Sequence, residues 1–296
     1  MKYSEGVDHD PQVAERLEST VRSSVYYVAF QRDVQYGLAG TGKAGRIEIS
    51  CEPRAALKSI GLLLVERDNY DVARIGKQFL QRVGTSIARH GVVSFQLVKS
   101  EDPGRLWLMS LMPETIYVTP FATIQILRRP HRIPDLLFLD PKTVYSIQSP
   151  VITPSAWRRH IRRMAELERS TKLSMMLSMQ SGSNAGYRVA THDALARQAM
   201  LQEMSFIDWP LPYRLKPEQM SDVFYWVKWL RFQRHLLDIR ENALTVLNAI
   251  LDEAGSRMGF KATAQHADYP GRDAYVSAES AIVAGTASPS VVRSFT

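Results

Sequence analysis

Between Pro217 and Gly255 the chain contains no glycine and no proline, the two residues that most readily stop a helix. Proline suits a first helical turn and glycine the position just past a helix end, so this stretch predicts one long helix or two end to end, from Lys216 to Ala254. Any fold must pack around it. The rest of the chain mixes shorter patterns. Val13, Leu17, Val21, Val25 and Val28 recur at helical spacing after Pro11, and Gly37 to Gly45 is expected to end that first helix. Arg46 to Ser50 alternates as a strand does, whereas Arg54 to Arg67 and Tyr70 to His90 carry helical spacing, with Gly91 placed as a C-cap.

Val92 to Lys99 and Leu106 to Met112 flank the turn-forming run Glu101-Asp102-Pro103-Gly104-Arg105 and predict a hairpin. Four short β-rich pieces follow: Thr115 to Thr119, Thr123 to Arg128, Leu136 to Leu139 and Thr143 to Ile147. Prolines punctuate them, which suits edge strands or an irregular sheet. Thr153-Pro154-Ser155 then reads as the N-cap and first turn of a helix reaching Met179, and Ser181 to Arg188 has loop composition. After Phe260 the composition turns to Ala, Ser, Gly and Pro, and an irregular tail is expected. The expected fold class is α+β and mainly helical, with helices around a small irregular β part and a long helix near the C-terminus. Four regions follow: residues 1–112 (α/β), 113–152 (proline-punctuated β), 153–260 (helical) and 261–296 (irregular).

Patterns that carry chemistry are sparse. A chain of 296 residues with 45% hydrophobic content can bury a sizeable core. No apolar run approaches the roughly 20 residues a membrane-spanning helix needs, and Gly61 to Val65 is far too short, so no membrane partner is expected. The start, MKYSEGVDHD, lacks a basic and then apolar leader, and one cysteine, Cys51, allows no internal disulfide and no multi-thiolate zinc site; an intracellular protein is expected. His235 and Asp238 share a helical spacing but are too few for a metal site. Ser256 sits outside any nucleophile-elbow spacing, and adjacent Asp252 and Glu253 diverge on a helix. No catalytic set, metal site or cofactor is expected. Gly37-Leu-Ala-Gly-Thr-Gly42-Lys43-Ala44 matches the glycines and lysine of a phosphate loop, but Ala44 stands where the metal-binding hydroxyl belongs and a strand pattern follows. It reads as a glycine-rich connection, with a nucleotide-binding enzyme kept as an alternative.

The physical signal is basic. The chain carries 37 Lys and Arg against 30 Asp and Glu, and the excess is concentrated. From Arg128 to Lys172 there are 10 basic residues and 4 acids, an excess nearly equal to the +7 of the whole chain. Within Trp157-Arg158-Arg159-His160-Ile161-Arg162-Arg163, the residues Arg159, Arg162 and Arg163 share one helical face while Trp157, Ile161 and Met164 share another. Such a ridge, with Arg158 beside it and Arg128 and Arg129 extending it, can neutralise phosphates without reading sequence. The same pattern also fits a solvated face answered by acids of a neighbouring subunit. A second cluster, Trp209, Phe224, Trp226, Trp229 and Phe232, has the aromatic character of a subunit interface, which points to a homo-oligomer.

This order of elements resembles the small portal, or head-tail connector, proteins of short-tailed phages. The resemblance spans Val72 to Gly255 and is carried by the Thr-Pro-started helix and by the long helix holding Leu236-Leu237-Asp238-Ile239-Arg240-Glu241-Asn242-Ala243. It implies a ring of about twelve subunits around packaged double-stranded DNA, with capsid and tail or adaptor proteins as further partners. It also implies assembly in the host cytoplasm and residence in the virion. Thr153 to Met179 would then resemble a stem helix and Lys216 to Ala254 the later stem and wing helices. Ser181 to Pro217 departs from the family in lacking a β-rich clip. A capsid or nucleocapsid protein that coats nucleic acid would use the same arginines without needing a channel.

Overall fold

The computed structural model describes residues 24–40, 46–65, 74–99, 106–119, 122–127, 135–180, 208–209, 221–267, 270–288 and 290–292. In chain order these form α1 (Val25–Ala39), β1 (Arg46–Glu52), α2 (Leu57–Val65), α3 (Ile75–His90), β2 (Val92–Lys99) and β3 (Leu106–Leu111). Next come β4 (Ile116–Val118), β5 (Thr123–Leu127), β6 (Asp135–Leu139) and β7 (Val144–Gln148), then α4 (Pro154–Gln180), α5 (Asp222–Met258), β8 (Lys261–Ala267) and α6 (Arg272–Val283). The chain is α+β and mainly helical, with small antiparallel sheets and a long helix late in the sequence.

The long glycine- and proline-free stretch forms one helix, α5, capped at its start by Ser221, whose hydroxyl accepts the Phe224 amide at 3.2 Å. Its end lies beyond the expected one. Gly255 is inside the helix, where a Cβ would stand 2.4 Å from the Phe260 carbonyl oxygen, and Gly259 closes it in the left-handed conformation at φ 76°. Leu236, Ile239, Ala243, Leu247, Ile250, Leu251 and Ala254 bury one side of α5 completely. Against them pack Phe30, Val34 and Leu38 of α1 and Phe79, Leu80, Val83 and Ile87 of α3, each set at helical spacing.

The first helix ends inside the glycine-rich run, as its sequence predicts. The positions expected before Ser24 lie outside the described residues; the described helix starts at the Ser24 cap, passes Gly37 and stops at Ala39, with Gly40 as its C-cap at φ 75°. Gly37 is a packing residue there: its missing Cβ would fall 2.1 Å from Cδ1 of Leu236. Glycine at this position lets the last turn of α1 lie close against α5.

β2 and β3 pair as the hairpin patterns predict, in antiparallel register from Ser94 opposite Leu111 to Lys99 opposite Leu106. Gly91 takes the left-handed cap at φ 70°. The proline-punctuated region divides between two sheets. β4, β5 and β6 form one antiparallel sheet, whereas β7 joins β2 on the side away from β3. The tail is not irregular. β8 pairs with all of β1, from Arg46 opposite Ala267 to Glu52 opposite Lys261, and closes the last part of the chain onto the first. Asn248 of α5 fixes that strand by exchanging two bonds with the Ala264 backbone, at 2.8 and 3.0 Å. α6 then lays Tyr275, Ala278 and Ile282 against Val227, Leu230 and Leu237 of α5.

Candidate nucleic-acid interface

α4 starts as its sequence requires. Thr153 accepts the Ala156 amide at 3.3 Å, and Pro154 occupies the first turn, where its missing N–H costs nothing. Trp157, Ile161, Met164 and Ala165 are each at most 2% exposed, so the inner face of the helix is locked into the core. Trp157 donates its indole N–H to the Ala88 carbonyl at 3.3 Å and covers Gly91, where a Cβ would come within 2.6 Å of the Trp157 Cβ. About three turns beyond Trp157, buried Glu168 reaches α1. Its carboxylate accepts the Val25 and Tyr26 amides at 3.1 and 3.2 Å and the Ser24 hydroxyl, which places negative charge on a helix N-terminus.

With its inner face fixed from Trp157 to Glu168, α4 holds the opposite face of that part rigidly in solvent. Arg159, Arg162, Arg163 and Arg169 are exposed on it, with Glu166 the one acid among them. Arg158 is partly buried at the edge of this ridge and donates to the Pro154 carbonyl at 3.3 Å. Arg128 and Arg129, expected to extend the ridge, lie outside the described residues. The arrangement presents guanidinium groups at successive turns, each able to make charge-assisted bonds to phosphate oxygens.

The aromatic set divides. Trp209 is 0% exposed and donates to Asp33 at 3.1 Å; its ring meets Phe30 edge-on at 5.1 Å. Phe232, 2% exposed, packs on the same Phe30 at 6.3 Å. These two are consumed inside the chain and offer no surface to a neighbour, which corrects their assignment to a subunit interface. Trp226 and Trp229 are partly buried, edge-to-face at 6.2 Å, and cover the cluster between α5 and α6. Phe224 remains half exposed, with Lys228 Nζ 5.3 Å from its ring centre.

The α5 residues considered for metal binding are otherwise engaged. Asp238 is salt-bridged to Arg272 of α6, and burial pushes the His235 imidazole pKa down. Among the described residues no group of three His, Cys, Asp or Glu side chains could hold a metal ion. Two other groups are shifted by the same packing. Burial raises the Asp33 carboxyl and outweighs its bond from Trp209, and burial lowers the Lys228 ammonium. Sequence spacing gave no hint of the fully buried Arg240 on α5 or of His266 beside it on β8, whose pKa falls to about 4 through burial and the charge of Arg240.

The chain matches no protein-family model and no curated protein.

Proposed function

We propose that this protein is a structural subunit of a portal-like ring, with the arginine face of α4 set against double-stranded DNA in a central channel. The observation that carries the reading is the two-sidedness of α4: an inner face locked by Trp157, Ile161, Met164 and Glu168, and an outer face of exposed arginines. A rigid basic surface suits a partner that slides, because contacts to phosphates are independent of sequence. Support for the ring comes from the resemblance in element order and from Phe224 and Val223, which leave apolar surface at the start of α5. On this reading the protein acts by assembly, resides in the virion, and meets capsid and tail or adaptor proteins on surfaces away from α4. No chemical step is assigned to it.

Light scattering followed by negative-stain imaging of the purified protein tests the ring. A closed ring of about a dozen subunits with an axial channel is the expected result. A monomer at all concentrations, with or without duplex DNA, would remove the reading.

A further inference from the structure

The sheet formed by β4, β5 and β6 ends in an unusual strand. Among the described residues β6, Asp-Leu-Leu-Phe-Leu, pairs with β5 on one side only, so alternate backbone N–H and C=O groups point outward along its other edge. Strand geometry sends Leu136 and Phe138 to one face and Leu137 to the other, and yet all three are exposed, at 58%, 74% and 43%. On the first face Phe138 stands opposite Ile124, which stands opposite Tyr117, and Leu136 stands opposite Ile126. Edge strands in soluble proteins are usually guarded by lysine, proline or a bulge within the strand. β6 has none of these between Asp135 and Leu139.

Open backbone groups call for an extended chain, and apolar side chains on both faces call for a strand that is apolar at successive positions. Among the described strands β6 itself is the one that exposes apolar side chains at three successive positions; the exposed positions of β8, for example, are Lys261, Thr263 and Gln265. Charge fixes the direction. Parallel pairing of two β6 strands would set Asp135 beside Asp135, whereas antiparallel pairing centred on Leu137 sets each Asp135 opposite a Leu139 and each Leu136 opposite a Phe138. We infer that β6 is a docking edge for a second copy of this chain, joined through antiparallel β6 to β6 pairing about a two-fold axis at Leu137. The pairing makes one six-stranded sheet. It rests on the exposure of β6 and not on the arginine face of α4, and it closes at two copies, whereas a ring does not.

Cysteine cross-linking of the full chain, with Cys51→Ser as background, tests both contact and register. Leu137→Cys is expected to form a disulfide-linked dimer under mild oxidation well ahead of Val276→Cys, an equally exposed position on α6, and ahead of Leu136→Cys, which would face Phe138 and not itself. In parallel, Phe138→Lys, a substitution at a solvent-facing site that leaves the core intact, is expected to weaken dimer formation in sedimentation by about tenfold or more. Cross-linking of Leu137→Cys no faster than Val276→Cys, or unchanged sedimentation of Phe138→Lys, would overturn the inference. Equal cross-linking of Leu136→Cys and Leu137→Cys would overturn the register.

Discussion

α4 and α5 are both long helices carrying several arginines, yet the two sets of arginines are doing different things. On α5, Arg231 and Arg234 both reach Glu279 of α6, at 2.7 and 2.8 Å, and Arg240 is enclosed completely. On α4 the corresponding charges stand on the outer face, and the acid nearest the core, Glu168, is turned inward to cap α1. Basic residues that bridge to another helix of the same chain fasten the fold together; basic residues exposed on a rigid support can reach an outside polyanion. The contrast teaches that an arginine count measures neither role, because what decides it is where the fold places each guanidinium.

Perturbing α5 should unsettle the fold, whereas stripping the outer face of α4 should leave it standing. The largest effect is expected from Phe232→Ala, which empties a site beside Phe30 and should cost roughly 3–5 kcal/mol in denaturant unfolding. A loss under about 1 kcal/mol would show that this part of the core can collapse. Gly255→Ala should cost about 1–3 kcal/mol even though alanine favours helix, because its Cβ would strike the Phe260 carbonyl. A stabilised variant would contradict that packing.

Acid should discriminate next. The neutral form of His266 is favoured in the folded protein, where its pKa is about 4, while in the unfolded chain it titrates near the ordinary histidine value of about 6.5. Between those values the unfolded state binds more protons, so stability should be complete above about pH 6.5 and fall as the pH drops toward 4. Allowing for the partial exposure of the ring, the loss assignable to this residue is roughly 1 to 2 kcal/mol. His266→Gln should flatten that part of the stability profile, and an unchanged profile would show that the imidazole is not the group responsible. The smallest effect is expected from Glu279→Gln. It removes the acceptor shared by two partly exposed arginines and should cost about 0.5–1 kcal/mol, declining with added salt.

Much of the scaffold was legible because its signals were strong. Gly91 after a periodic helix, the apolar runs on either side of Glu101 to Arg105, and Thr153-Pro154 each have one structural meaning in their setting: the cap, the paired strands β2 and β3, and the helix start formed as expected. The inner and outer faces of α4 were legible for the same reason, since Trp157, Ile161 and Met164 keep helical spacing against the arginines. The C-terminal part was misread because its buried residues are small. β8 buries Ala262 and Ala264, whose alternation gives a weak hydrophobic signal, and α6 holds its core side with Tyr275, Ala278 and Ile282 amid alanine and serine. Gly255 was misread as the end of a helix because its role is close approach to Phe260, which no local pattern encodes. Trp209 and Phe232 looked like interface residues because aromatic composition does not distinguish a contact inside the chain from one between chains.

That DNA is held on the outer face of α4 is tested most directly by the salt dependence of duplex DNA binding by the wild type and by the triple variant Arg159→Ala, Arg162→Ala and Arg163→Ala. Stability should change by no more than about 0.5 kcal/mol, as suits exposed positions. Affinity should fall at low salt, and the slope of log K against log salt concentration should become shallower by about three, one phosphate contact per arginine removed. Equal affinity and equal slope for the two proteins, with both folded, would contradict the account.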